Sequence, residues 1–536
     1  MELEIKLESR QTTPSRATMS PRSRLALGIV VVALPMGVLG DALLRETPWG
    51  LNALVWTAAV VAAVLTLMRR QGIRVGAGGR ILAVTIFAFA ALLAWRDSST
   101  LKFLDGLGVA VALSLAAFRA KRGRLMLAGI TEYIEGLFIA AFNATLGPIL
   151  LLLADVQWSE IPAENRPRHL AAAARGLLIA IPLLVVFGGL FMAADAVFEV
   201  TVKNALTFDL QRLALHGFVI AACAWSVGGS LRAFLLEQSA RPVSDLPESS
   251  TVVSRAKRSS IGIVEIGTAL GLINLLFFCF VAVQFKYFFG GTNTVVATTG
   301  LSYAEYARRG FFELVTVAVL VLLLLLGAHW LLRNRDPKDE RVFRGLAASL
   351  LLLLFVVMIS AVQRMRLYQI EYGLTELRLY TTAFMGWLAI VFVWFAATVL
   401  RGQRQRFAFG ALVAGAAMIV ALHLFNPDRL IVTVNANRAA SGRGFDAPYA
   451  TSLSADAVPA LVEALPSLSP KERCLVAALV LERWSPLGDA DWRGSSRSRR
   501  QAWQAIQENN AMLTRAAGCR ESTTPPTGVA ASEVIK

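Results

Sequence analysis

Phe311–Leu332 reads FFELVTVAVLVLLLLLGAHWLL, and Leu346–Ala361 reads LAASLLLLLFVVMISA. A bilayer core about 30 Å thick is crossed by about 20 residues of helix. Alone, either run would also suit the buried core of a soluble protein. About a dozen such stretches follow one another between residues 25 and 425, at 25–43, 51–68, 80–95, 102–118, 125–154, 172–194, 213–235, 261–285, 310–332, 344–362, 380–400 and 407–425. One soluble core does not hold that many, and basic clusters separate them. The predicted fold class is all-α: a polytopic integral membrane protein with about 12–13 transmembrane helices and a small, mostly helical C-terminal soluble region.

Composition agrees. The 536 residues are 56% apolar and 17% charged, with mean hydropathy +0.57 and a formal net charge of +16. Soluble domains carry about 25% charged residues. Most of the arginine excess flanks apolar segments, where it marks the cytoplasmic face and meets anionic head groups. Membrane lipids are therefore the expected partners of that charge, and nucleic acid is not. Residues 1–24 are polar and mixed in charge, and read as a disordered cytoplasmic N-terminus. No clear cleavage site follows Leu25–Gly40, so this stretch reads as an uncleaved first span.

Arg69, Arg70, Arg74 and Arg80 follow the second span, and Arg119, Lys121, Arg122 and Arg124 follow the fourth. Both clusters read as cytoplasmic, as do Arg333–Arg344 and Arg401–Arg406. The two halves agree only if residues 125–154 do not cross once. That stretch contains Asn143, Gly147 and Pro148, so a broken or re-entrant pair of half-helices with a break near Asn143–Pro148 is expected; the blander alternative is one tilted helix with a tolerated charge violation elsewhere. With the break, the tail lies outside the cytoplasm, in a protein of the inner membrane. Within 426–516, the run opening NPDRLIVTVNANRAASGRGFDAPY reads as non-helical, with a short strand at Ile431–Val434. Helices follow, one of them opened by the capping box Ser469-Pro470-Lys471-Glu472. Residues 517–536 read as disordered.

Ionisable groups inside spans are the default functional candidates of a membrane protein. Here they are Glu132, Glu135, Glu265 and Glu313. A second group is polar and aromatic: Tyr303, Glu305, Arg308 and Arg309 before one span, and Arg364, Arg366, Glu371, Tyr372, Glu376 and Arg378 in what reads as an outer loop. The two segments are expected to meet and to hold an anionic lipid or a small molecule. The blander reading is an interfacial helix with aromatic anchors. His169, His216, His329 and His423 share no short motif, and the four cysteines form no CxxC, so neither a metal nor a cofactor is expected. A disulfide between Cys474 and Cys519 is open if the tail is extracytoplasmic. No nucleophile elbow, phosphate loop or dinucleotide fingerprint occurs, which leaves enzymatic activity undecided.

Tyr368–Leu377 (YQIEYGLTEL), with Arg378, Tyr380 and Trp387, resembles a bacterial multi-pass membrane family of unknown function, DUF4173. Leu301–Leu314 (LSYAEYARRGFFEL), Ala194-Asp195-x-x-Phe198, and Asn426-Pro427-Asp428 with Asn435 and Arg438 point the same way. The resemblance spans about residues 125–460. It implies a polytopic membrane protein and transfers no activity, though it draws attention to Thr375 beside the residues above. Three functions stay open: a transporter or permease-like protein, a non-catalytic envelope sensor or assembly protein, and an enzyme acting on a lipid-linked substrate.

Overall fold

The computed structural model describes residues 19–72, 76–122, 130–157, 210–239, 262–289, 311–332, 337–484 and 491–518, with Ala180, Phe187, Ala194 and Asp195. Ten described helices are long and apolar enough to cross a membrane, and an eleventh apolar helix, Ala77–Leu93, is shorter. No sheet occurs among the described residues. The expected span at 172–194 lies almost wholly outside them.

The first bundle holds α1 (Pro21–Leu44), α2 (Leu51–Arg70), α3 (Ala77–Leu93), α4 (Ser99–Arg122), α5 (Ile130–Leu150) and α6 (Leu210–Ser239). Ser20 caps α1 through its hydroxyl, with Pro21 in the first turn. Helices α1 and α6 touch through small residues. A Cβ on Gly37 would sit 2.5 Å from the Ile220 carbonyl oxygen, and one on Gly40 would sit 2.6 Å from the Cys223 sulfur. Lipid tails are as apolar as leucine, so close backbone approach, rather than escape from water, holds such helices together. The sequence motif Gly267-x-x-x-Gly271 makes no such approach: a Cβ on Gly271 would meet nothing within 4 Å.

The second bundle holds α7 (Ile263–Phe289), α8 (Phe311–Leu331), α9 (Pro337–Tyr372), α10 (Glu376–Thr398) and α11 (Phe407–Phe425). Its core includes Leu270, Leu325, Phe343, Leu350, Leu354, Phe392 and Phe395. Asn274 donates to the Leu346 carbonyl at 3.1 Å and Ser360 to the Gln284 side chain at 2.5 Å, so α7 and α9 run parallel. His329 stacks near Phe343, with ring centres 5.4 Å apart, so α8 runs against them.

Residues 427–517 form α12 (Pro427–Ala440), α13 (Ala447–Ser452), α14 (Val458–Ala464), α15 (Pro470–Trp484), α16 (Arg497–Glu508) and α17 (Asn510–Ala517). Their own core holds Ile431, Val432, Val458, Leu461, Val476, Ala502 and Leu513. Each large apolar side chain buried from water there contributes about 1.5–3 kcal/mol. The strand expected at Ile431–Val434 is instead helix. Asn426 adopts φ 49°, its side chain accepts from the Arg429 amide, and Pro427 starts the helix. The buried positions Asp428, Ile431, Val432 and Ala436 then follow helical spacing. Residues 364–378 are also not a loop. Helix α9 is 36 residues long and runs to Tyr372, and only Gly373–Thr375 turn before α10.

The tail sits on one end of the membrane helices. Arg493 donates to the Ala42 carbonyl at 2.7 Å, the Leu51 amide to Ser495 at 3.0 Å, and the Arg497 amide to Ala94 at 2.9 Å. The α9–α10 turn and the end of α11 meet it too. Arg22, Arg70 and Arg406 lie one helix length away, at the other end.

Both ends of the 130–155 segment lie at that other end. Tyr133 packs on Ala408, at the start of α11. Asp155 accepts from Arg22, at the start of α1, at 2.7 Å. In between, the helical hydrogen bonding does not stop at Asn143–Pro148. It continues to Leu150 and widens into a π turn, Leu151–Asp155. Arg232 donates to Asn143 at 2.9 Å and to Asp155 at 2.6 Å. A straight α-helix would separate those two backbones by about 18 Å, beyond what one guanidinium reaches. The segment therefore bends between Asn143 and Asp155, a stretch that holds both Pro148, which lacks an amide hydrogen and clashes with the preceding turn, and the π turn.

Candidate functional site

The sequence-selected glutamates are not one site. Glu132, Glu265 and Glu313 each occupy the first turn of their own helix, where the helix dipole favours a carboxylate. Glu135 follows one turn later and is exposed, as are Glu265 and Glu313. The helix directions put Glu132 and Glu265 at the end away from the tail and Glu313 at the tail end. Tyr303, Glu305, Arg308 and Arg309 lie outside the described residues, and with them the expected meeting of 301–314 with 364–378.

The second half of that group does gather, on the tail. Glu371 is 3.8 Å from Arg443. Arg438 donates to the Ile370 and Glu371 carbonyls at 3.2 and 2.6 Å. Arg378 donates to Tyr372 and Gly373 and lies over the Tyr368 ring, 4.1 Å from its centre. Three arginines thus satisfy the open carbonyls at the C-terminus of α9. Asn435 clamps the turn by accepting from the Leu374 amide and donating to its carbonyl, both at 2.8 Å. The Glu376 amide donates to the Tyr449 hydroxyl at 2.8 Å. Arg364 and Arg366 lie two turns back on α9, half-buried and exposed respectively. These contacts make a joint between two parts of the chain.

The most buried polar cluster was not singled out from the sequence. Its centre is Asp456, between α13 and α14, 4% exposed. One carboxylate oxygen accepts from Arg96 at 3.1 Å and from Ser498 at 2.5 Å. The other accepts from the Asp97 amide at 2.7 Å and the Ser98 amide at 3.2 Å. Arg96 also donates twice to the His423 carbonyl, at 2.9 and 2.6 Å. Asp97 accepts from Lys102 at 2.6 Å and Arg499 at 3.0 Å. Ser98 and Tyr380 meet at 3.1 Å through their hydroxyls. The α3–α4 connection, the ends of α10 and α11, and α16 are all tied to one carboxylate. A buried charge is tolerated only when paired and hydrogen-bonded to this degree.

Two further acids border the centre. His423 and Asp105 are fully buried and meet at 3.1 Å. The His423 Nδ1 lies 3.0 Å from the Ile419 carbonyl, which only accepts, so Nδ1 carries a hydrogen. On the tail side, Asp428 accepts from the Ser454 hydroxyl at 2.5 Å and amide at 3.2 Å. Burial pushes the Asp428 carboxyl up to about 7, against the opposing hydrogen bond from Ser454. One oxygen of Asp105 and one of Asp428 have no hydrogen-bond partner among the described residues.

Cys474, on α15, is disulfide-bonded, while Cys223 and Cys279 are free. Two cavities stand out. An apolar one of about 280 Å³ lies among α2, α3, α4 and α6, and a polar one of about 250 Å³ lies beside Asp456. Neither is lined by Glu132, Glu135, Glu265 or Glu313.

No curated protein and no solved structure matches this chain. The family model described as Domain of unknown function (DUF4153) matches residues 82–464. That match overturns the resemblance to DUF4173, whose supporting blocks all fall inside the matched range. Two polytopic families without an assigned activity offer little in short motifs to tell them apart. Matched over well more than half its length, the chain belongs to the DUF4153 family.

Proposed function

We propose that this membrane protein of unknown function is a non-catalytic envelope sensor or assembly protein, with its C-terminal helices held outside the cytoplasm and coupled to the membrane helices. The observation that carries this reading is the Asp456 carboxylate, which takes hydrogen bonds from α16 and from the α3–α4 connection together. A joint of that kind passes a change in the tail directly to the ends of membrane helices. The orientation is supported by Arg22, Arg70 and Arg406 at the end away from the tail, and by the Cys474 disulfide, since disulfides persist in oxidising compartments. A reporter active only outside the cytoplasm, fused at residue 536, tests it: a silent, well-expressed fusion reverses the orientation.

One observation favours transport instead. The Asp105–His423 pair, 3.1 Å apart, is buried between two membrane helices, where ionisable groups mark proton and ion paths. An untargeted comparison of lipid, cell-wall precursor and metabolite pools, with and without the protein, separates the readings. A changed solute that the purified protein moves across liposomes overturns the sensor reading in favour of transport. A changed solute that it converts chemically makes it an enzyme. A change with neither activity, lost in a normally inserted Asp456→Ala protein, supports the sensor.

A further inference from the structure

The polar cavity beside Asp456 lies where a membrane headgroup would. Helix α11 has 19 residues, about 28 Å, so it ends where the hydrocarbon ends. Its last two residues, Leu424 and Phe425, are 66% and 73% exposed. The next residue, Asn426, already lines the cavity. Apolar surface for acyl chains therefore gives way, within one residue, to a polar hollow of about 250 Å³.

The lining sets the chemistry. Gln501, Gln504 and Glu508 follow one another on one face of α16, and Arg429 comes from α12. Asp456 and Ser498 line the cavity as well, but both are committed to the Arg96 joint. Among the described residues the Arg429 side chain meets Glu463, at 3.4 Å in an exposed pair, which is worth little and readily exchanged. Beside the committed Asp456 and Ser498, the wall thus offers one guanidinium, one carboxylate and three amides, those of Asn426, Gln501 and Gln504, and among the described residues no aromatic plate for a sugar or a base. A guanidinium binds phosphate, a carboxylate binds ammonium, and amides bridge the oxygens between them.

We propose that this cavity binds the headgroup of a zwitterionic phospholipid, its phosphate on Arg429 and its ammonium on Glu508, with the acyl chains along Leu424 and Phe425. The site shares Asp456 and Ser498 as a wall with the joint, but its ligand contacts are other residues and it does not depend on the sensor reading.

The test uses the full chain in detergent, titrated with phosphatidylethanolamine, phosphatidylglycerol or free phosphoethanolamine and followed by thermal shift and native mass spectrometry. Phosphatidylethanolamine should bind tightest, and Arg429→Ala and Glu508→Gln should each weaken it about tenfold. Both side chains are exposed, so the lipid-free melting temperature should not move. Equal binding of phosphatidylglycerol, unchanged by Glu508→Gln, would overturn the ammonium contact. Free phosphoethanolamine binding as well as the lipid would overturn a membrane occupant in favour of a soluble one. Binding that neither variant weakens, or no binding at all, would sink the site.

Discussion

Arg96 and Asp456 meet at 3.1 Å across 360 residues of chain, their side chains 11% and 1% exposed. Neither would be stable there alone. Taking one partner from a buried pair leaves an uncompensated charge, at a cost of about 3–5 kcal/mol. Here Asp456 also satisfies two backbone amides and the Ser498 hydroxyl. Asp456→Ala should therefore lower the melting temperature of the full chain in detergent and open the tail to protease before the membrane helices unfold. A variant that melts and is cleaved like the parent protein would show that the joint does not hold the tail.

Asp428 gives the joint a pH dependence with a definite sign. An unfolded carboxyl titrates near 4, and the buried one is pushed up to about 7. Folding must then take up a proton between those values. The contribution of Asp428 is fully favourable below about pH 4. It falls by about 1.4 kcal/mol per unit as pH rises towards 7, and is constant above. Asp428→Asn, which keeps the acceptor for Ser454, should remove this slope. Melting temperatures of both proteins across pH 4–8 check it. The gap between them should widen with pH up to about 7, and a gap constant with pH would reject the assignment.

The α9–α10 turn depends on Gly373 for two separable reasons. Its φ is +77°, and a Cβ there would lie 2.6 Å from both Arg438 and Asn435. Gly442 has φ +85° with nothing within 4 Å. Gly442→Ala should cost only the backbone strain, about 1–2 kcal/mol. Gly373→Ala should cost more, because the Asn435 clamp on Leu374 must also give way. Thermal melts of the two variants compare them directly, and equal losses would mean that the clamp adds nothing.

What the sequence made legible follows from range. Apolar runs are local, and they announced an all-helical membrane protein. The Ser469–Glu472 capping box is local as well, and its two reciprocal hydrogen bonds are present at 3.1 and 3.4 Å. The joint is not local. Asp456 meets Arg96, Asp97 and Ser98 from the far end of the chain, and His423 meets Asp105 across 318 residues. No spacing rule reaches that far, and His423 had been set aside for want of a nearby ligand. A usable signal existed in Asp105, a lone acid inside an apolar span. Residues 364–378 misled for the opposite reason. Their charges look like a loop, yet most of them continue α9 to Tyr372, where Glu371 and the last carbonyls meet Arg438 and Arg443 of the tail.

The last prediction concerns the segment 130–155. Tyr133 packs on Ala408 and Asp155 is bound by Arg22, both at the end away from the tail. The bend between Asn143 and Asp155 is what allows the return, and Arg232 fixes it by holding the two together. Cysteines placed singly at Glu132 and Gln157, in a protein with Cys223 and Cys279 replaced, should react with an impermeant maleimide from the same side of sealed vesicles. A cysteine at Trp492, exposed on the tail, should react from the other side. Labelling of Glu132→Cys and Gln157→Cys from opposite sides would mean that the segment crosses the membrane. Asp155→Ala should loosen the return without reversing it: Arg232, 12% exposed, loses its carboxylate but keeps Asn143, so labelling at position 157 should speed up while its side stays the same.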